Sequence, residues 1–288
     1  MNVFDSIAQV QEQTTKWVRE GKTIGFVPTM GYLHEGHERL MEEARKENDK
    51  VILSIFVNPL QFGENEDLDQ YPRDHDHDVS VAEKYGVDLV FLPTEDTMYP
   101  APLTLNISVV RRADVLCGRS RPGHFEGVVT VLTKLFNICQ PTRAYFGMKD
   151  AQQVAVVDGL IQDFNFPVQL VRVPTVREAD GLAKSSRNVN LSHSEREEAP
   201  SIQAALSHAT DLVRKGERNP EEIIQSVREF LDSRTRGKID YIELLSYPEL
   251  EPVHSIDQTV ILAVAVYYEK ARLIDNVVMG KDGVSELR

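Results

Sequence analysis

Apolar positions in this 288-residue chain follow two rhythms, short dense runs and longer stretches spaced by three or four residues. The dense runs Thr23–Val27, Val51–Val57, Val87–Leu92, Arg143–Gly147 and Val168–Val173 read as buried parallel strands, with Leu105–Val110 as a shorter candidate. Helical spacing covers residues 1–20 (Val3, Ile7, Val10, Trp17, Val18), a stretch from near His37 to Asn48 (Leu40, Met41, Ala44), and Val79–Tyr85. Arg121–Val128 opens another helix, with Val128, Leu132, Leu135 and Phe136 inward, and a further helix is expected from Asp150, a good N-cap residue. Strand–helix alternation of this kind predicts an α/β domain built on a parallel sheet. The alternation stops after Val173. Two helical patterns (195–215 and 220–235) then precede strand-like runs at Ile239–Leu245, Thr259–Val266 and Arg272–Val277, which predicts a separate, smaller α+β domain.

Composition narrows the picture modestly. With 41% hydrophobic and 27% charged residues the chain resembles an ordinary soluble globular protein. Its 32 cations and 45 anions leave a net charge of −13, which argues against a broad nucleic-acid or anionic-membrane surface. A polyanionic ligand must then be met by a few local cations and backbone donors. Cys117 and Cys139 have no metal-site spacing and suit a reducing compartment. Met1 begins a polar, amphipathic segment rather than a signal peptide, and no apolar run has membrane-spanning length, so a cytoplasmic protein is expected.

The chemistry concentrates where strands end. Pro28-Thr29-Met30-Gly31-Tyr32-Leu33-His34-Glu35-Gly36-His37 lies between a strand and a helix, with two glycines for close backbone approach and two imidazoles three residues apart. A helix N-terminus offers unpaired N–H groups to phosphate, and imidazoles there can donate to its oxygens as charge moves. After the second strand, Asn58 and Gln61 flank Pro59 at the carboxyl end, where open α/β sheets bind ligands; amides suit a small hydroxy acid. Gly147-Met148-Lys149-Asp150 forms another glycine–lysine corner before a helix, with Gln152 and Gln153 in its first turn. Lys184-Ser185-Ser186-Arg187 packs two cations and two hydroxyls into what otherwise reads as a polar interdomain linker. Asp74-His75-Asp76-His77-Asp78 suggests metal ligands by composition, but the pattern that follows favours a solvated helix start. Gly21-Lys22-Thr23 matches the end of a P-loop only by chance, because Lys16 stands where the first glycine belongs.

Six blocks in order, Pro28–His37, Phe56–Gly63, Asp67–Arg73, Arg121–Val128, Phe146–Gln153 and Pro174–Asn188, resemble the pantothenate synthetase (pantoate–β-alanine ligase) family of the nucleotidylyltransferase superfamily. Asp240–Glu243 and Arg272–Asn276 also look familial. The resemblance implies a Rossmann-like parallel-sheet nucleotide-binding domain (1–176) that binds ATP and pantoate, and a smaller C-terminal α+β lid domain (177–288). It implies (R)-pantoate, β-alanine, ATP and Mg²⁺ as reactants, a pantoyl-adenylate intermediate, and pantothenate, AMP and pyrophosphate as products. It places Met30, Gly31, Tyr32, Leu33, His34, Glu35, Gly36 and His37 along ATP, with His37 as proton donor and His34 on the phosphates. Gly147, Met148, Lys149 and Asp150 would bind the nucleotide, with Lys149 on phosphate and Asp150 on ribose, and Val176 would offer its backbone to adenine. Lys184, Ser185, Ser186 and Arg187 would clamp the triphosphate; many relatives have an apolar residue at position 184, so either the Lys184 ammonium or only its backbone is used. Gln61 and Gln153 would hold pantoate, with Asn58, Arg121 and His124 in support. No metal ligands are assigned, and the family suggests a homodimer without nucleic-acid or membrane partners. The rival readings are a nucleotidylyltransferase with a phosphorylated acceptor, which would need a basic pocket where Asn58 and Gln61 stand, and a non-catalytic nucleotide sensor, which would not need both histidines and Lys149.

Overall fold

The computed structural model describes residues 1–63, 68–69 and 71–284. Asp67 and Gln70, within the Asp67–Arg73 block, lie outside the described residues. The chain forms two compact units. The first comprises Met1–Ala113, Cys117–Gly147 and Val156–Val173; the second comprises Asp114–Leu116, Met148–Ala155 and the chain from Pro174 onward.

The first unit is built on six strands, β1 (Asn2–Phe4), β2 (Ile24–Thr29), β3 (Lys50–Ile55), β4 (Leu89–Phe91), β5 (Arg143–Gly147) and β6 (Gln169–Val173). They run in the order β1-β4-β3-β2-β5-β6 with every neighbouring pair parallel. The helices are α1 (Ile7–Arg19), α2 (Glu35–Glu47), α3 (His75–Lys84), α4 (Glu95–Met98), α5 (Leu116–Ser120), α6 (His124–Cys139) and α7 (Ala151–Asp163), with α5 and α7 crossing the unit boundary. Period-two alternation divides the sheet between two layers. Val51, Leu53 and Ile55 of β3 join Leu40, Met41 and Ala44 of α2 and Val81 and Ala82 of α3 in one core. Phe26 of β2 instead meets Phe136 of α6 edge-on, with centroids 6.4 Å apart. Apolar side chains leave both faces of β2 and β3, which is why their sequence runs show so little alternation.

The strand order reverses between β2 and β5, the switch point at which doubly wound sheets place ligands. The expected strands and helices are present except for Leu105–Val110, with several local differences. Residues 1–20 hold a strand before the helix, because Val3 pairs in parallel with Val90 as an edge too short to carry a period. Leu105–Val110 finds no partner strand among the described residues, and Leu105 and Val110 stand exposed. Helix α2 begins at Glu35, two residues before His37, and α6 begins at His124, after Gly123 in a left-handed conformation. Asp150 closes a 3₁₀ turn, Met148–Asp150, that leads straight into α7, so helical backbone occupies the position expected for the cap.

The second unit carries an antiparallel sheet of β7 (Lys238–Ser246), β8 (Val260–Tyr267) and β9 (Arg272–Met279), together with α8 (His193–Glu198), α9 (Ser201–Arg214) and α10 (Pro220–Asp232). Pro200 divides the helix expected over 195–215 into α8 and α9. Ile202, Leu206 and Val213 of α9 and Ile223, Val227 and Leu231 of α10 pack on Leu262, Val264 and Val266 of β8. The 174–188 stretch is an ordered hairpin rather than a plain linker. Arg177 and Ala183 form an antiparallel bridge, and the Lys184 N–H donates to the Val176 carbonyl at 2.9 Å.

Candidate active site

In the first unit the loop between β2 and α2 turns through Gly31 (φ 86°) and Tyr32 (φ 52°). A Cβ at Gly31 would lie 2.8 Å from Asp78 Oδ2 and 3.0 Å from Ile55 Cγ2, so glycine is required by space as well as by φ. Asp78 explains the turn. Its side chain is buried (1% exposed), with Oδ2 accepting the Tyr32 N–H at 2.9 Å and Oδ1 accepting the Leu33 N–H at 2.7 Å. The Asp/His run is thus the first turn of α3, capped by Asp74, which accepts the His77 N–H. It is not wholly solvated as expected, because its last carboxylate faces the histidine loop. Tyr85 at the other end of α3 donates to Glu38 of α2, which pushes the phenol up to about 12 and ties the two helices together. Among the described residues no three His, Cys, Asp or Glu side chains converge as a metal set.

His34 is the N-cap of α2. Its Nδ1 accepts the Gly36 N–H at 3.0 Å, while the His34 N–H donates to His37 Nδ1 at 3.3 Å. The two rings lie 4.1 Å apart, centroid to centroid. This capping box sets the tautomer: with Nδ1 accepting, each neutral imidazole carries its proton on Nε2. Both side chains therefore hold up the helix start through Nδ1, with the ring proton on Nε2.

The amides after β3 form a second cluster in the same unit. Asn58 (1% exposed) caps the 3₁₀ turn Pro59–Gln61; its Nδ2 donates to the Gly127 carbonyl at 3.1 Å and to Gln61 Oε1 at 3.2 Å. Tyr99 Oη donates to Asn58 Oδ1 at 2.9 Å, and burial pushes that phenol well above its ordinary value. Gln61 Nε2 donates to Met30 Sδ at 3.1 Å, which joins this cluster to the histidine loop. The Gln61 carbonyl is held by the His124 ring at 2.8 Å and by Arg121 at 3.4 Å. A Cβ on Gly127 would fall 2.3 Å from the Leu60 carbonyl oxygen and 2.6 Å from the Gln61 nitrogen, so only glycine lets α6 come this close.

The remaining expected residues belong to the second unit, apart from Gly147, the last residue of β5. Asn276 Nδ2 donates to the carbonyls of Met148 and Lys149, both at 2.9 Å, and so fixes the turn that carries Lys149 and Asp150. Lys149 Nζ lies 3.9 Å from Asp150 Oδ2. Gln152 Nε2 is spent on the Val115 carbonyl at 2.7 Å, leaving Gln153 as the candidate binding amide in that turn. The Val176 carbonyl accepts the Lys184 N–H, so a further donor there would share the oxygen with the hairpin bond. Arg177 grips the buried Asp275 with both guanidinium ends, at 2.6 and 3.0 Å, which anchors the hairpin to β9. Arg196 bonds Glu178 and Asp180, and its hydrogen bond holds the Asp180 carboxyl below the usual range. The Ser185 hydroxyl caps the turn at Ser186 by accepting the Arg187 N–H at 3.2 Å. A pocket of about 210 Å³ lies in this unit, but of the expected site residues only Met148 lines it.

Sequence reading missed Asp78, Tyr99, Gly127 and the Arg177–Asp275 pair. A signal existed for the first: Asp78 stands at the head of the stripe Asp78–Val81–Ala82, where an inward-facing helix position should be apolar.

A doubly wound parallel sheet that delivers paired imidazoles to a helix N-terminus beside its switch point is the architecture of a nucleotide-binding α/β enzyme. The family model described as pantoate-beta-alanine ligase matches residues 2–278, and the chain belongs to that family of ligases. It is 62% identical over 279 residues to the pantothenate synthetase of Geobacillus kaustophilus (strain HTA426), covering 97% of this chain and 93% of that protein. The crystal structure of pantothenate synthetase from Thermus thermophilus matches with a TM-score of 0.90 at 41% identity, covering 96% of this chain and 99% of that one. The pantoate-beta-alanine ligase of Francisella tularensis, solved in complex with beta-gamma ATP and beta-alanine, matches with a TM-score of 0.79 at 35% identity over 98% and 99% of the two chains. No described helix is long and apolar enough to cross a membrane.

Proposed function

We propose that the chain condenses (R)-pantoate with β-alanine at the expense of ATP through a pantoyl adenylate. A carboxylate does not condense with an amine in water until its oxygen becomes a leaving group. In the first step a pantoate carboxylate oxygen attacks the α-phosphorus, and the bond from that phosphorus to the bridging oxygen breaks to release pyrophosphate. In the second, the neutral amine of β-alanine attacks the acyl carbon, AMP leaves with the former carboxylate oxygen, and the nitrogen gives up a proton. The observation that carries this reading is the His34–His37 capping box, which engages Nδ1 of both rings and leaves the proton of each neutral imidazole on Nε2 at the start of α2. The complex of the Francisella tularensis relative with an ATP ligand and β-alanine supports the choice of substrates.

In this reading His37 donates its Nε2 proton toward the departing pyrophosphate and His34 donates to phosphate oxygens. Tyr32 and Leu33 have their N–H groups taken by Asp78, Gly36 donates to His34 Nδ1 and His37 to the His34 carbonyl, so within Met30–His37 the phosphates fall to the imidazoles. Gly147, Met148, Lys149, Asp150 and Val176 serve the nucleotide, Lys184–Arg187 the triphosphate, and Gln61 and Gln153 pantoate, with Asn58 in support. Residues 1–176 act as the ATP and pantoate domain and 177–288 as its lid, in a cytoplasmic homodimer. Mg²⁺ fits as a companion of the nucleotide: Asp78, the carboxylate at the loop, has both oxygens on backbone N–H groups, and Mg²⁺ commonly keeps waters and phosphates as most of its ligands. Bound there, the ion supplies charge neutralisation for the triphosphate.

Pyrophosphate exchange tests the scheme. With ATP, Mg²⁺ and pantoate but no β-alanine, labelled pyrophosphate should enter ATP, because the first step is reversible and needs no amine. β-Alanine added afterwards should discharge the intermediate to pantothenate and AMP without further ATP. Exchange that requires β-alanine, or the appearance of ADP and phosphate, sinks it.

A further inference from the structure

The amides around Gln61 leave no freedom in their orientation. The Gly127 carbonyl can only accept, so the amide nitrogen of Asn58 must face it, at 3.1 Å. The Leu60 N–H can only donate, so the amide oxygen of Asn58 must face it, at 3.4 Å. Tyr99 Oη, 2.9 Å from that same oxygen, is therefore a donor. The second hydrogen on Asn58 Nδ2 goes to Gln61 Oε1 at 3.2 Å, which turns the Gln61 NH₂ toward Met30 Sδ. A thioether is a weak acceptor, so a ligand oxygen that replaces it makes the better bond.

We propose that Tyr99 is a positioning residue which, with the Gly127 carbonyl and the longer bond from the Leu60 N–H, holds Asn58 in place and through it keeps Gln61 as a hydrogen-bond donor toward the acid substrate. The proposal rests on the reading of Gln61 as a pantoate-binding residue. Burial keeps the Tyr99 phenol protonated across the working range, so the relay stays in one sense. Its ring packs 6.0 Å from Phe56, and phenylalanine preserves that contact.

Tyr99→Phe should raise the KM for pantoate roughly three- to tenfold, the loss expected when one hydrogen bond of a buried amide goes missing, while the KM for ATP changes by less than about twofold. The decisive measurement repeats the substitution in a Gln61→Ala background. If the relay works through Gln61, Tyr99→Phe adds nothing there to the rise already caused by Gln61→Ala; a merely structural role adds its increment in both backgrounds. A normal pantoate KM in Tyr99→Phe, beside a raised one in Gln61→Ala, overturns the relay. So does full additivity. A normal pantoate KM in Gln61→Ala instead overturns the role given to Gln61 itself.

Discussion

The buried carboxylate of Asp78 accepts the Leu33 N–H at 2.7 Å and thereby ties α3 to the loop that ends in His34. Its other oxygen holds the Tyr32 N–H, so the left-handed turn at Gly31 and Tyr32 has a fixed partner. Asp78→Asn replaces one acceptor by an NH₂ group facing an N–H. The expected cost is about 1–3 kcal/mol of stability, with a raised KM for ATP. Gly31→Ala should do similar damage, since its Cβ would meet Asp78 Oδ2 at 2.8 Å. Thermal denaturation and ATP titration check both; two variants with normal melting and normal ATP affinity remove Asp78 from this role.

His37 serves the helix cap and, in the proposed scheme, the chemistry, and the two can be separated. Glutamine is a usual partner at this position of a capping box, so His37→Gln retains an acceptor for the His34 N–H while losing the imidazole. Turnover should fall roughly 10²–10⁴-fold with near-normal ATP binding. His37→Ala should lose the same turnover and, in addition, about 1 kcal/mol of stability. If His37→Gln turns over within about twofold of the parent, the proton-donor role is gone.

Lys184 enters the hairpin through its backbone N–H, which a methionine would also supply. Lys184→Met should therefore leave ATP affinity nearly unchanged. An affinity loss that shrinks as salt is added would instead mark an ammonium–phosphate contact.

Asp88 joins three neighbours: Lys50 at 2.8 Å, the Val51 N–H at 2.9 Å and Arg45 at 2.7 Å. Burial alone would raise its carboxyl, but these donors and charges outweigh burial and hold it below the ordinary value. A depressed folded-state value means stability that is present above the unfolded value of about 3.9 and lost as pH falls through the folded one. Asp88→Asn should cost about 1–3 kcal/mol near pH 7, and the difference from the parent should shrink as pH falls through the depressed folded-state value. A gap that persists in acid would contradict the charge-based account.

Legibility in the sequence followed the range of the forces involved. Strands β2 and β3 announce themselves because both faces are covered, and α2 because one stripe of Leu40, Met41 and Ala44 suffices. Strand β1 stayed hidden because three edge residues carry no period, and Leu105–Val110 misled because strand-like composition does not provide a pairing partner. Within the site, local motifs such as His34–His37 and Asn58–Gln61 were readable from spacing alone. Asp78 and Tyr99 act on loops 45 and 41 residues away, and no local pattern reports such a bond.

The missing side chain at Gly127 has a thermodynamic consequence. Helix α6 presses directly on the peptide that carries Gln61, and the amides around it are fully oriented within the polypeptide itself. Little is left for an incoming acid to freeze. Ordering of this corner is completed when the chain folds, so in the proposed pantoate role of Gln61 substrate association there would resemble insertion into a rigid mould, with a small configurational entropy loss. A methyl group at position 127 would undo that by pushing the two backbones apart, and the acid would then have to order the corner as it bound.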